Sequence, residues 1–169
     1  MTTVGVVSDT HLPRFGRELP RALVEGLRAA RVSRILHCGD FTEPLAVELL
    51  EAIAPLDAVA GNNDGEALWN RFGRKKIVEI DGVAIGLVHG DGTRSAAVQA
   101  LGSFSGERVD AICFGHSHAP LIERHEGILL LNPGSPTERR RSPRFSYAVL
   151  RISGGTAQAE LCYFDDRRA

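Results

Sequence analysis

The first half of the chain alternates short apolar runs with longer segments of helical periodicity. The apolar runs predict buried strands, and they cover residues 4–7, 35–38 and 56–60. Between them, leucines recur at helical spacing within residues 17–31, and a second helix is predicted to have Pro44 in its first turn. This β-α-β-α-β order predicts a parallel sheet with right-handed connections.

The second half consists mainly of apolar segments joined in pairs by turn residues. Hairpin turns are predicted at Asp81-Gly82, Glu126-Gly127 and Gly154-Gly155. A helix is predicted over residues 95–101 and a buried strand over residues 111–114. A parallel half followed by an antiparallel half favours two packed, mixed β-sheets flanked by helices. The predicted fold class is therefore α/β, arranged as a four-layer αββα sandwich.

Length and composition are those of an ordinary globular protein. The 169 residues, 43% of them hydrophobic, are predicted to form one domain over residues 1–169. The net charge of −1 predicts no stable nucleic-acid binding. We identify no signal peptide, no apolar run of membrane-spanning length and no CxxC pair among three cysteines. We therefore expect a cytoplasmic protein without a membrane partner, and the sequence leaves open whether it forms a homo-oligomer.

Five predicted strands end in polar clusters that contain metal-ligand side chains. The clusters hold Asp9 and His11; Asp40; Asn62, Asn63 and Asp64; His89; and His116 and His118. Open α/β sheets bind their ligands at the carboxyl ends of strands. If the chain stays extended after the first strand, Asp9 and His11 point the same way, because strand side chains alternate. Four of the six histidines lie in these clusters, which favours one common site over five unrelated turns.

The donor set of these clusters combines imidazoles, carboxylates and a side-chain amide, without a thiolate. Such a set suits transition metals and differs from the all-oxygen cage of Ca²⁺. It contains too many ligands for one tetrahedral zinc ion. With one bridging carboxylate, it suffices for two ions roughly 3.5–4 Å apart. We therefore expect two divalent transition-metal ions, with Mn first and Fe, Zn, Ni or Co as alternatives.

In this order the five motifs resemble those of the metallophosphoesterase (calcineurin-like) superfamily. They read Asp-x-His from Asp9, Gly-Asp at Asp40, Gly-Asn-x-Asp from Gly61, His-Gly at His89 and Gly-His-x-His from Gly115. The small size, the Ser-Asp-Thr-His start and the run Asn132-Pro133-Gly134-Ser135 resemble the short bacterial and archaeal phosphodiesterase branch. That branch is itself similar to the retromer subunit of eukaryotes. The resemblance covers nearly the whole chain.

The resemblance implies a role for each motif residue. It places Asp9, His11 and His118 on one ion, Asn62, His89 and His116 on the other, and Asp40 between the two. Asn63 and Asp64 are implied to be catalytic, but Asn63 stands where strongly active phosphatases of the family usually carry a leaving-group histidine. Asp91 stands where short-branch relatives often carry another histidine.

Together these observations predict a dinuclear metal-dependent phosphodiesterase that acts on a small phosphodiester substrate. The two ions are expected to lower the pKa of a bridging water, whose hydroxide attacks phosphorus in line. Two alternatives stay open: a phosphomonoesterase using the same site, and a non-catalytic scaffold of the retromer-subunit type. The basic segment from Arg139 to Arg144 is interpreted as a solvated face, with substrate contact as the less favoured alternative. His37 is interpreted as a core histidine and His125 as an exposed one.

Overall fold

The computed structural model describes residues 1–168, which form ten strands and four helices. The elements of the first half are β1 (Thr2–Val7), α1 (Arg21–Ala29), β2 (Arg34–His37), α2 (Pro44–Glu51), β3 (Leu56–Ala58), α3 (Glu66–Phe72) and β4 (Lys75–Ile80). The elements of the second half are β5 (Val83–Val88), α4 (Ala96–Ser103), β6 (Ala111–Cys113), β7 (Leu121–His125), β8 (Ile128–Asn132), β9 (Phe145–Ser153) and β10 (Thr156–Phe164).

The strands form two five-stranded sheets, ordered β10-β9-β1-β2-β3 and β4-β5-β6-β8-β7. In the first sheet β1, β2 and β3 are parallel, and β9 is antiparallel to β1. In the second sheet β5, β6 and β8 are parallel, with antiparallel strands at both edges. Both sheets are therefore mixed, which confirms the predicted fold class. The simple division into a parallel half and an antiparallel half is wrong, because the C-terminal hairpin joins the first sheet.

The main core lies between the two sheets. Alternate residues of β1, Val4 and Val6, face Ile85 and Leu87 of β5 across this layer, and all four are fully buried. Helices α1, α2 and α3 cover the outer face of the first sheet, and α4 covers that of the second. Burying an aliphatic side chain of this size contributes about 1.5–3 kcal/mol. This packing therefore fixes the positions of the strand ends at which the polar clusters lie.

Two helices differ from the sequence prediction. Helix α1 begins at Arg21 rather than at residue 17, because the backbone of Pro20 is extended at its N-cap (φ −52°, ψ 134°). Helix α3 was not predicted at all. It has seven residues, and only Leu68 and Phe72 on it are buried, so it carries a single apolar i, i+4 pair. Among residues 1–168, no helix is both long enough and apolar enough to span a bilayer.

Candidate metal centre

Both sheets contribute to the site, which lies where their strands end. Asp9 and His11 follow β1, and Asp40 follows β2, all in the first sheet. His89 follows β5, and the pair His116 and His118 follows β6, in the second sheet. Backbone hydrogen bonds tie these loops together: the N–H of Asp9 donates to the carbonyl of Gly39 (3.0 Å), and that of Gly115 to His89 (3.0 Å).

The ligand-bearing loops have a left-handed backbone, which corrects the expectation of an extended chain after β1. That strand ends at Val7, and Asp9 (φ 55°) and His11 (φ 42°) converge through turns instead of strand alternation. Three further site residues also have positive φ: Asp40 (61°), His116 (69°) and His118 (57°). Such conformations are uncommon outside glycine and cost about 1–3 kcal/mol each. Their concentration here indicates a functional constraint on these loops.

Two motif glycines allow the loops to approach one another. A Cβ on Gly115 would lie 1.9 Å from Oγ of Ser8, and one on Gly61 would lie 2.1 Å from Oδ1 of Asp40. Neither gap can hold a methyl group. With glycine at position 115, the N–H of His116 donates to Oδ2 of Asp9 (3.0 Å). The glycines are therefore part of the geometry that gathers the ligands.

One cluster of donor atoms contains Asp9, His11 and His118. Nε2 of His118 lies 3.4 Å from Oδ1 of Asp9 and 3.3 Å from Nε2 of His11. Nε2 of His11 lies 3.8 Å from the same Asp9 oxygen. All three residues are buried, and their donor atoms are close enough together to hold one metal ion. They are the three residues that the sequence assigned to a first ion.

A second cluster contains Asp9, Asp40 and His89. Nε2 of His89 lies 3.2 Å from Oδ2 of Asp40 and 3.8 Å from Oδ1 of Asp9. Oδ2 of Asp40 also lies 3.7 Å from Nε2 of His11 in the first cluster. Both carboxylates therefore lie between the two clusters. The half-buried ring of His116 stands edge-on to His89, with centroids 5.2 Å apart.

The donor atoms fit a metal ion because two of them lack any other partner. Oδ1 of Asp9 and Nε2 of His89 are buried without a hydrogen-bond partner among the described residues. An unsatisfied buried polar group costs about 1–3 kcal/mol, and a cation at this position would satisfy both atoms. The other nitrogens of the rings are held by the protein: Nδ1 of His89 by the carbonyl of Cys38 (2.7 Å), and Nδ1 of His118 by that of Glu138. Such bonds orient Nε2 toward a metal.

The electrostatics of the site also favour a cation. Burial opposes the charged form of Asp9, but the close contact with His118 and the charge of His89 lower its pKa below the ordinary value. Burial likewise opposes ionisation of Asp40, and its contact with His89 lowers its pKa. Although burial disfavours a charged ring, the contact with Asp40 raises the pKa of His89 to about 9. Two ionised carboxylates are thus held in the interior at neutral pH.

The three residues that follow β3 differ in their placement. Asn62 is exposed at the rim of the site. Asn63 contacts Asp40: its side-chain amide donates to Oδ2 (2.8 Å) and its backbone N–H donates to Oδ1 (2.9 Å). Asp64 is buried, and its carboxylate accepts the backbone N–H groups of Asp40 (2.9 Å), Gly61 (2.7 Å) and Thr42 (2.8 Å). Asp64 therefore holds together the loops after β2 and β3.

The run Asn132-Pro133-Gly134-Ser135, at the end of β8, forms hydrogen bonds to the backbone of the ligand-bearing loops. The side chain of Asn132 donates to the carbonyl of Gly115 (3.0 Å), and the hydroxyl of Ser135 donates to that of Asp9 (2.8 Å). The run therefore contacts both the last and the first of the five motifs. His37 lies where it was predicted, fully buried and stacked on Phe41.

At one side of the rim, the sequence pointed to Asp91 but did not identify Arg74 or Trp69. Arg74 forms a bidentate ion pair with Asp91, with both N–O distances 2.7 Å. Trp69 on α3 is 43% exposed, and its indole N–H donates to the carbonyl of Gly61 (3.0 Å). Trp69 could have been placed beside the loop after β3 only if helix α3 had been predicted.

The chain is a two-sheet αββα sandwich whose strand ends gather buried Asp and His side chains that could hold metal ions. Residues 2–155 match the calcineurin-like phosphoesterase superfamily domain. The chain belongs to that superfamily, and the resemblance identified in the sequence is confirmed.

Individual relatives agree with this assignment. The chain is 38% identical over 163 residues to a probable metallophosphoesterase of Methanothermobacter thermautotrophicus, covering 94% of this chain and 90% of the relative. It is 30% identical over 145 residues to a phosphodiesterase of Methanocaldococcus jannaschii, covering 78% and 82%. The fold matches the crystal structure of Vps29 from Chaetomium thermophilum with a TM-score of 0.79, at 20% identity and 97% coverage of both chains.

Proposed function

We propose that this protein is a dinuclear metal-dependent phosphodiesterase. The observation that carries this proposal is the position of Asp40, whose Oδ2 lies 3.2 Å from Nε2 of His89 in the second cluster and 3.7 Å from Nε2 of His11 in the first. One side chain that serves two clusters is what a pair of adjacent ions requires. The phosphodiesterase of M. jannaschii, 30% identical to this chain, supports the reaction class.

We assign the two ions as the motifs imply. Asp9, His11 and His118 would hold the first ion, Asn62, His89 and His116 the second, and Asp40 would contact both. When bound, two such ions activate a water at neutral pH and offset the charge of the phosphoryl oxygens. We propose Mn as the metal, with Fe, Zn, Ni and Co as alternatives, because a mixed imidazole and carboxylate donor set suits transition metals.

The residues around the ions determine which leaving groups are tolerated. Asn63 can donate a hydrogen bond to a leaving oxygen but cannot give up a proton. Both oxygens of Asp64 accept backbone N–H groups, so this carboxylate orients the loop that carries Asn63. We therefore propose that the enzyme acts best on phosphodiesters with acidic leaving groups.

The diester preference rests on the charge of the site. A phosphodiester carries one negative charge, whereas a monoester dianion is held more readily where further cations are available. Within residues 1–168, every ion pair of Asp9 and Asp40 is with a histidine, and none is with a lysine or arginine. Among the positions that the family resemblance marks, Asn63 replaces the histidine expected of strong phosphatases.

The test compares bis(p-nitrophenyl) phosphate with p-nitrophenyl phosphate on the Mn-loaded protein. Both substrates release p-nitrophenol, so the ratio of their kcat/KM values measures the preference for a diester over a monoester. We expect the diester to be favoured at least tenfold. Equal or faster turnover of the monoester would favour the phosphomonoesterase alternative. No turnover of either, at full metal occupancy, would favour a scaffold.

A further inference from the structure

The loop between β8 and β9 places two arginines beside the metal centre. Nη1 of Arg140 donates to the backbone carbonyl of His116 (3.0 Å), and the hydroxyl of Ser142 donates to that of His118 (3.1 Å). The loop is therefore fixed to the two histidines of the last motif. Arg140 itself has a left-handed backbone (φ 50°), so its position is set by a specific turn. The arginines of this segment are exposed, as the interpretation of a solvated face expects, and Arg140 in addition contacts the last ligand motif.

A cavity of about 810 Å³ lies between this loop and the residues that follow His116. Its walls include the apolar side chains of Ala119, Pro120 and Pro143, and the polar side chains of Arg140, Arg141 and Ser142. Binding pockets for small molecules typically measure about 300–1,000 Å³. The cavity can thus take a nucleotide-sized group whose carbon skeleton lies against the prolines.

The guanidinium groups at the cavity wall have no carboxylate partner, in contrast to that of Arg144. Arg144 forms an ion pair with Asp165 (2.7 Å), and Arg139 stacks on Phe145. Within residues 1–168, no carboxylate lies within ion-pair distance of Arg140 or Arg141. Two unpaired guanidinium groups at one cavity wall favour an anion, and their planar donor geometry matches phosphate oxygens.

We propose that this cavity binds the alcohol portion of the substrate and that Arg140 and Arg141 bind a second phosphate group on it. The inference rests on the proposed function, because Ser117, which lines the cavity, lies between the proposed ligands His116 and His118 in the sequence. The scissile diester lies at the ions, and the additional phosphomonoester lies at the arginines. The substrate class is accordingly a phosphodiester that carries a separate phosphomonoester, and the two arginines determine that specificity.

The test uses two substrates that differ only in the second phosphate. They are the p-nitrophenyl ester of thymidine 5′-phosphate and the same ester with a 3′-phosphate, and both release nitrophenolate. On the Mn-loaded wild type, we expect kcat/KM to be at least about tenfold higher for the 3′-phosphorylated ester. In the double variant Arg140→Gln, Arg141→Gln this ratio should fall close to one. In the matched control Arg144→Gln, which removes an arginine already paired with Asp165, the ratio should stay at the wild-type value.

Each outcome bears on one proposal only. A wild-type ratio near one, with both esters hydrolysed, would overturn the second phosphate site and leave the phosphodiesterase proposal intact. No hydrolysis of either ester at full metal occupancy would instead reject the proposed function. If the double variant does not fold, Arg141→Gln alone should lower the ratio at least about threefold. A wild-type ratio in a folded variant would overturn the assignment of the arginines.

Discussion

The side-chain amide of Asn63 donates a 2.8 Å hydrogen bond to Oδ2 of Asp40, the same oxygen that lies 3.2 Å from Nε2 of His89. Position 63 therefore lies one hydrogen bond away from the proposed second metal ion. A proton donor placed there would stand at the edge of the reaction site, whereas the native amide has no proton to transfer.

We expect Asn63→His to improve the hydrolysis of diesters with poor leaving groups. A positioned general acid typically contributes about 10²–10⁴-fold, and it matters least when the leaving alcohol is already acidic. The measurement is kcat/KM for a series of aryl and alkyl diesters plotted against the pKa of the leaving alcohol. The slope should be steep for the wild type and shallower for the variant.

The control for this variant is Asn70→His, which places the same ring at an exposed asparagine of α3. Its slope should equal that of the wild type. If Asn63→His also gives a line parallel to the wild type, another group already protonates the leaving oxygen. Asp91, which lies at the rim in its ion pair with Arg74, would then be the first residue to test.

We expect Asp64→Asn to destabilise the protein and to loosen the metal site. The native carboxylate accepts three backbone N–H groups, and the amide offers one acceptor oxygen in place of two. At least one buried N–H is left unsatisfied, at a cost of about 1–3 kcal/mol. Urea unfolding should show this loss, and chelator titration should show faster loss of metal.

Asp110→Asn is the matched control for Asp64, because this exposed carboxylate accepts a single backbone N–H, that of Ala84 (2.8 Å). We expect a smaller loss of stability there and normal metal retention. Equal metal retention in the Asp64 and Asp110 variants would show that Asp64 does not hold the ligand loops.

The sequence predicted the strands and the positions of the polar clusters at their ends, because both depend on local pattern. Residues 81–82, 126–127 and 154–155 form the expected turns, and the five polar clusters converge at one site. The partner of the last hairpin could not be predicted, because the pairing of β9 with β1 joins residues such as Thr2 and Ile152. Nothing in the local pattern of either segment specifies such a distant contact.

The backbone of the ligand loops was also beyond the sequence prediction. The prediction that Asp9 and His11 lie close together is correct. The reason given for it, side-chain alternation along an extended strand, is wrong. The left-handed conformation of both residues depends on tertiary hydrogen bonds, such as that from the N–H of His11 to the carbonyl of Asp40 (3.1 Å). The short helix α3 was missed because two buried side chains in seven residues give too weak a periodicity.

The buried ring of His37 should make the metal-free protein less stable in acid. Burial lowers its pKa from the ordinary 6.5 to about 3 in the folded state. Below pH 6.5 the unfolded chain binds a proton at this residue that the folded protein does not bind. The free energy of unfolding therefore falls by about 1.4 kcal/mol per pH unit from this residue, down to about pH 3.

Urea unfolding of metal-free protein between pH 6.5 and pH 4.5 measures this contribution. In His37→Gln the free energy of unfolding should depend on pH less steeply than in the wild type, by about the slope given above. Parallel curves for the wild type and His37→Gln would contradict a neutral, buried His37.

The single tryptophan should report metal binding at the second cluster. The indole N–H of Trp69 donates to the carbonyl of Gly61, directly before the proposed ligand Asn62. A shift of that peptide changes the environment of the indole. We expect Zn²⁺ titration to change the fluorescence of the wild type with saturation, and Asn62→Ala to need a higher Zn²⁺ concentration. Identical titrations would remove Asn62 from the ligand set.

Metal content and diester turnover, measured on the same samples of wild type, Asp40→Asn and Asp57→Asn, test the two-metal phosphodiesterase most directly. Asp57 pairs with Arg34 on the first sheet and serves as the matched control. We expect two ions per chain and full turnover in the wild type and in Asp57→Asn. Asp40→Asn should bind fewer than two ions per chain. Its turnover should fall by more than the roughly 10–100-fold loss that follows removal of a residue outside the ligand set. Full diester turnover with one bound ion, or unchanged turnover in Asp40→Asn, would contradict the account.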